Sequence, residues 1–400
     1  MPAGMIGRHT LSSTGRHSMK ILYISPSVLP SRAANAVHVL HQCHGFMAAG
    51  HDVVLAAKRS ARDAGEVVRT LERDFAIDAS RLEFLSYYSA LNRADNMRIA
   101  LMAWRALRRG LQADLVLSRN LYASYILAVR MGRPIFFETH QIEHGWRSHL
   151  QKAIMTQPHV TTIVISKKLE EVLADAHGVG PSSTLVLPDA APEGMEPVPA
   201  HDKPAARARL MPQIDLAPYR TVCGYFGHLY PGRGIEIIEA MAEKRPDAAF
   251  LVFGGNDRDI AERRAANTLA NLVFAGHVSH GAAVRIMAAC DVLLMPYQRA
   301  VSIGVKKHDT ARWMSPMKMF EYMGSGSPII SSSLPVLEEV LEDGRNALLA
   351  EPDAPASWLA ALQRLESDET FARAIGENAH SDYRAKYTWK ARAQAVCGAV

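Results

Sequence analysis

Short β-rich runs alternate along this chain with stretches whose apolar residues recur at helical spacing, and the alternation is played through twice. Lys20–Ser25 (KILYIS) reads as a strand, a Pro/Ser loop follows, and Asn35–Ala49 carries the helical period until Gly50 stops it. His51–Ala57 is then a second strand, which gives the opening β-loop-α-β of a doubly wound sheet with right-handed crossovers. The series predicts a helix at Arg93–Gly110, strands at Ala113–Ser118, Arg133–Glu138 and Thr161–Ser166, a helix at Lys167–His177 and a strand at Thr184–Pro188. Between about Glu193 and Pro218 the chain turns to Pro, Ala and charge, which predicts an interdomain linker. A second series follows: strands at Thr221–Phe226, Ala248–Phe253, Leu272–Ala275, Val292–Pro296 and Pro328–Ser331, with helices at Gly234–Lys244, Lys318–Met323 and Leu334–Glu342. Helices at Pro355–Ser367 and Glu369–Tyr387 close the chain before Trp389. The expected organisation is a loose tail over 1–18, an α/β domain over 19–195, a linker over 196–217, a second α/β domain over 218–380 and a helix over 381–400 that crosses back.

Composition narrows the class without naming a function. Across 400 residues 48% are hydrophobic, and every long apolar stretch is broken before the roughly 18 to 20 residues that a spanning helix needs. No membrane anchor is expected, and the place expected is the cytoplasm. The tail carries Arg8 and Arg16 without an apolar core, unlike a secretory signal. Cys43, Cys223, Cys290 and Cys397 lie far apart with no CxxC spacing, so free thiols are expected. The whole net charge of +5 sits in the first half, with 22 Lys/Arg against 17 Asp/Glu in residues 1–200. That excess suits an acidic acceptor or peripheral contact with an anionic membrane surface; nothing in the chain suggests nucleic acid.

Chemistry concentrates in four segments. After the first strand stands PSVLPSRAA rather than GxGxxG, which disfavours a nicotinamide dehydrogenase, while Arg32 and Asn35 at the next helix start are candidates to line a cleft on the acceptor side. ETHQIEH delivers His140 to the carboxyl end of a strand, where open α/β sheets bind ligands. Glu143 and His144 follow it, but a zinc-peptidase arrangement needs both His on one helix, so no metal site is expected. GYFGHLYPGRG runs a strand into a Gly-rich loop with Gly227, His228 and Arg233, suited to a diphosphate. SPMKMFEYMGSG places Lys318 in the first turn of a helix and Glu321 one turn deeper, a phosphate ligand followed by a carboxylate for a ribose diol.

Taken together these segments resemble the family 4 glycosyltransferases, over Lys20 to Trp389. GHLYPGRGIEIIEA is similar to the family's G-R-L-x-x-E-K-G loop, with His228 in the place of its Arg and Arg233 in that of its diphosphate-binding Lys. SPMKMFEYMGSG resembles the signature helix that carries the E-x7-E motif; Glu321 corresponds to the second Glu, the ribose ligand, and Trp313 stands where the first would fall. The resemblance leaves Lys318 or Asp309 to share the work of that missing Glu. FAGHVSHGAAVRIMAACDVLLMPY is similar to the base-binding turn, which puts His277 and Val278 by the nucleobase, and Asp189 matches the interdomain P-D-G-V-D region.

The resemblance implies a GT-B fold, two Rossmann-like domains facing each other across a cleft. It implies a retaining, metal-independent hexosyl transfer from a nucleoside diphosphate sugar to a hydroxyl of a glycan, lipid-linked or small-molecule acceptor, with no cofactor. His140 would be catalytic; Gly227, His228, Arg233 and Lys318 would hold the diphosphate. The alternatives are a nucleotide-sugar epimerase of the same fold and a non-catalytic nucleotide-binding or membrane-surface protein.

Overall fold

The computed structural model describes residues 18–400 except 32, 61–62, 76, 90–94 and 303–308. Its first sheet is built from β1 (Lys20–Leu29), β2 (Asp52–Arg59), β3 (Leu82–Tyr88), β4 (Leu115–Ser118), β5 (Ile135–Thr139), β6 (Val160–Val164) and β7 (Thr184–Val186). The crossovers are α1 (Ala34–Ala48), α2 (Ala64–Phe75), α3 (Asn96–Arg108), α4 (Leu121–Ser124), α5 (Trp146–Met155) and α6 (Lys167–His177). The second sheet holds β8 (Thr221–Phe226), β9 (Ala248–Phe253), β10 (Leu272–Gly276), β11 (Val292–Met295), β12 (Ile329–Ser332) and β13 (Leu348–Ala350). Around it lie α7 (Lys203–Leu210), α8 (Ile235–Lys244), α9 (Asp257–Ala266), α10 (His280–Ala289), α11 (Met317–Ser325), α12 (Pro355–Ser367) and α13 (Glu369–Lys386), before α14 (Trp389–Cys397).

Every strand pair is parallel, and the orders are β3-β2-β1-β4-β5-β6-β7 and β10-β9-β8-β11-β12-β13. Each order reverses once, between β1 and β4 and between β8 and β11. At such a switch point the flanking crossovers leave to opposite faces and open a crevice at the carboxyl ends of the strands. Both crevices carry the groups described below. The central strands are buried on both faces, so β8 and β9 read as unbroken apolar runs. The two-domain GT-B architecture expected from the sequence is therefore present.

Helix α14 leaves the second domain and packs on α1 of the first, burying Ala393 and Val396 in the core around Ile21, Val39 and Phe46. Contact is close because residue 45 is a glycine: a Cβ there would stand 2.3 Å from the Trp389 carbonyl oxygen. The domains also meet directly. Glu339 accepts hydrogen bonds from the Lys167 and Lys168 backbone N–H groups at 2.7 and 2.9 Å, capping α6 from the other domain. The Ser166 hydroxyl donates to the Trp313 carbonyl at 3.0 Å, and the Asp189 N–H donates to the Ser315 hydroxyl at 2.9 Å.

Two local expectations change. Over the predicted helix at 334–342 the chain forms consecutive turns at 335–340 instead, because backbone bonds of mixed span interrupt the ladder and Asn346 satisfies the end of the segment, accepting from Glu342 N–H and donating to the Val340 carbonyl. The stretch from Glu193 to Pro218 contains α7, with Pro204 in its first turn and buried Lys203 donating to the Cys290 carbonyl at 2.6 Å and the Ser327 hydroxyl at 3.1 Å. Cys43, Cys223 and Cys290 are buried free thiols. Among the described residues no helix is long and apolar enough to cross a membrane.

Candidate functional site

In the second domain the switch point gathers a cationic pair. Gly227 ends β8 with φ of 151°, a conformation unfavourable to other residues, and a Cβ there would lie 3.4 Å from Lys318 Nζ. Arg233, on the following loop, donates to the Tyr297 hydroxyl at 2.9 Å, and its Nε is buried without a hydrogen-bond partner. Lys318 lies in the first turn of α11, which follows Pro316 and has no side-chain cap, so its leading N–H groups are open to a ligand. Its ammonium stands over the Tyr225 ring at 4.1 Å and the Tyr297 ring at 4.5 Å. Burial and the neighbouring Arg233 guanidinium push its pKa well below the ordinary value. Two cations, an orphaned N–H and a helix N-terminus together form a site short of negative charge.

His228 stacks flat on Tyr230 at 4.8 Å between ring centres, and burial, Arg233 and Lys318 lower its pKa, so a neutral ring stands where the family's motif carries a charge. His277 and Val278 follow β10, the histidine exposed and the valine packed on the domain core. His277 acts electrostatically on His228 of the loop after β8. Glu321 lies one turn beyond Lys318, and its Oε1 is held 2.7 Å from His280 Nε2. Asp309 does not face this group: its Oδ1 accepts from the Val301 and Ala311 backbone N–H groups and shapes the loop. Trp313 turns the other way and packs against Met155, Ile165 and Leu169 of the first domain.

In the first domain, His140 follows β5 directly and is half-buried. Its Nε2 lies 3.0 Å from Glu138 Oε1. The same carboxylate receives Arg392 Nη2 at 2.7 Å and the Tyr23 hydroxyl at 3.2 Å, and His38 Nε2 lies 3.0 Å away. Burial alone would raise the Glu138 pKa, but Arg392, His38 and His140 hold it well below the usual carboxylate range. His38 also contacts Asp189 Oδ1 through Nδ1 at 2.9 Å, tying α1 to the segment after β7 that leads into the second domain. Burial, with Arg119 and His38, lowers the His140 pKa to about 4, so the ring is neutral at physiological pH. A neutral ring with Nε2–H directed at Glu138 leaves Nδ1 as an acceptor for a substrate hydroxyl.

One ligand atom each from His38, His140 and Asp189 falls within 4.8 Å of the others, close enough to consider a metal ion. Those atoms are engaged in the hydrogen-bonded row, and the Arg119 and Arg392 guanidiniums act on the same group. The donor set fits a buried proton network better than a divalent cation. Glu143 and His144 lie apart from it; Glu143 pairs with Arg147 at 2.8 Å. Asn35 is exposed in the first turn of α1, with its carbonyl accepting from Ser27, and Arg32 lies outside the described residues.

His38, Arg119, His280 and Arg392 were not among the expected site residues. The signal for His38 was a polar stripe on α1, which it shares with buried His41 and Gln42 three and four residues on. Arg392 has none at its own position, because its partner is 254 residues away.

Comparison with known proteins places the chain. The description "Glycosyltransferase Family 4" matches residues 36–190, and "Glycosyl transferase-like" matches residues 233–398. The chain belongs to the family 4 glycosyltransferases. It is 24% identical over 311 residues to the D-inositol 3-phosphate glycosyltransferase of Stackebrandtia nassauensis, covering 69% of this chain and 65% of that one. With the same enzyme of Corynebacterium kroppenstedtii it shares 23% over 205 residues, 49% of this chain and 43% of the relative, so less than half of that relative's length is spanned. In fold it is similar to Anabaena Alr3699/HepE in complex with UDP, with a TM-score of 0.69, 18% identity and coverage of 95% and 99%. WaaG, a glycosyltransferase involved in lipopolysaccharide biosynthesis, gives 0.64 at 12% identity over 94% and 98%.

Proposed function

We propose that the chain transfers a hexosyl group from a nucleoside diphosphate sugar to an acceptor hydroxyl, with retention at the anomeric carbon and without a metal ion. The observation that carries this reading is the cationic pair Arg233 and Lys318 at an uncapped helix start, with an orphaned buried N–H. Anabaena Alr3699/HepE, similar in fold, was solved in complex with UDP and with UDP-glucose, which supports a nucleotide-sugar donor.

A diphosphate leaving group develops negative charge as the glycosidic bond opens. Arg233, Lys318 and the α11 N–H groups are preorganised to stabilise that charge. A diphosphate there favours the Lys318 ammonium, whose charge burial and the Arg233 guanidinium oppose. On the other side His140, neutral and held by Glu138, orients a sugar hydroxyl without adding a like charge beside the cationic ring of the transition state. Glu321 holds the ribose diol. Asn35, at the start of α1, lies on the acceptor side, where glycans, lipid-linked sugars and small alcohols are the candidate acceptors and the basic first half favours peripheral contact with an anionic surface.

The test is incubation with nucleoside diphosphate sugars, UDP-sugars among them, with and without acceptor alcohols and with excess chelator, followed by product analysis. A transfer product with unchanged anomeric configuration that persists in chelator supports the proposal. An isomerised donor formed without acceptor would point instead to an epimerase. Tight nucleotide diphosphate binding without any turnover would favour a binding protein, the reading that Trp313 in place of the first Glu keeps open.

A further inference from the structure

We propose that His280 is a positioning residue that makes ribose recognition depend on closure of the cleft. The proposal rests on the assignment of Glu321 to the ribose.

His280 is the first residue of α10, after the Ser279 cap, and it faces two ways. Its Nε2 holds Glu321 Oε1 at 2.7 Å. The ring itself lies against His41 of α1, with centres 5.1 Å apart, so an imidazole of the second domain touches a buried imidazole of the first. Glu321 is therefore fixed by a group whose far side is supported only when the two domains are together. From His41 the row continues into the first domain. Trp389 stacks on it at 6.0 Å with an interplanar angle of 11°, His38 meets Trp389 edge-on at 4.9 Å, and His140 meets His38 edge-on at 4.7 Å. Packed rings thus run without a gap from the carboxylate assigned to the ribose to the ring assigned to the sugar.

A carboxylate free to rotate would accept one ribose hydroxyl as easily as water. With one oxygen held by an N–H donor, both oxygens keep the orientation that a vicinal diol requires. An open cleft leaves the His280 ring without its neighbour, and the Glu321 carboxylate then samples other rotamers. The ribose therefore selects the closed state, and closure brings His140 to the sugar.

Two substitutions separate the two faces of His280. His280→Phe keeps a ring against His41 and removes the N–H; His280→Gln keeps an amide N–H near the Nε2 position and removes the ring. The probes are a nucleoside diphosphate and its 2′,3′-dideoxy analogue, titrated by calorimetry, with closure followed by fluorescence energy transfer between labels on the two domains. In His280→Phe the wild-type preference for the ribose probe should fall about tenfold, as for loss of a charge-assisted hydrogen bond. In His280→Gln, whose amide has lost its support on His41, the nucleotide-induced closure, kcat and the ribose preference should fall together. His41→Leu, from the opposite side of the cleft, should reproduce the His280→Gln result. Undiminished preference in His280→Phe, or normal closure and turnover in His280→Gln, overturns the proposal. Absence of any ribose preference in the wild type overturns it together with the Glu321 assignment, which keeps the two failures distinct.

Discussion

Replacing Arg392 by Met isolates the contact on which the first-domain site depends. The Glu138 side chain is 0% exposed and that of Arg392 2%, so neither ion of the pair has water to fall back on. Methionine preserves much of the side-chain volume but deletes the bond to Glu138 at 2.7 Å, the bonds to the Pro188 and Leu187 carbonyls at 2.9 and 3.3 Å, and the contact with Gln42. Removing one partner of a buried pair costs about 3–5 kcal/mol, because the remaining charge stays buried. With an unfolding entropy of about 2.1 cal/mol/K per residue over the whole chain, this lowers Tm by roughly 4 to 6 °C. The pH dependence carries the mechanism. In the wild type the depressed Glu138 pKa contributes stability that is present above the unfolded carboxyl pKa and lost as pH falls through the folded value. Without Arg392 that pKa rises, so the penalty should be largest near pH 8 and shrink toward pH 5 as the carboxyl takes up a proton. Glu138→Gln in the same background should return part of the loss. Calorimetric melting at several pH values checks this; a variant within about 1 °C of wild type, or a penalty independent of pH, refutes the account.

Arg233→Ala should weaken nucleoside diphosphate binding by about 1.5–3 kcal/mol, read by titration calorimetry, with the fold unchanged. Glu321→Ala should raise the dissociation constant for the natural donor but not for a 2′,3′-dideoxyribose donor; equal wild-type affinity for the two removes Glu321 from the ribose. His140→Ala should lower kcat by about 10²-fold and leave nucleotide affinity nearly unchanged. Since the His140 pKa is depressed to about 4, kcat should show no loss on its account between pH 8 and 5, and a protonation loss near pH 6.5 would contradict the neutral ring.

The parts legible in the sequence are those where one local physical rule dominates. β8, β9, α6 and α12 coincide with their predicted ranges because buried central strands are continuously apolar, α6 joins its period to a Ser166 cap and α12 opens on Pro355. α2 and β3 were not read, since α2 is buried chiefly at Val67 and Leu71 and β3 is a half-exposed edge strand without strict alternation. α9 escaped for a similar reason, with only Ile260 buried. The cationic half of the site was readable because Arg233 stands among the glycines of one loop and Lys318 in the first turn of a helix. The Glu138 network was not, because its members come from α1, β5, the β7 connection and α14, and nothing near His38 or Arg392 announces the partner.

Helix α14 has a consequence for how the protein is made. At about 5–20 residues per second, the 254 residues between Glu138 and Arg392 take roughly 13 to 50 s to synthesise. During that interval the first domain is on hand without the guanidinium that bonds its Glu138 carboxylate, and the surface of α1 that will receive α14 is bare. The first domain should therefore reach its final form only after the second has been translated. An interrupted chain would carry His140 in a site not yet ordered, so the geometry assigned to transfer would be assembled only on a molecule that already has its donor-binding half.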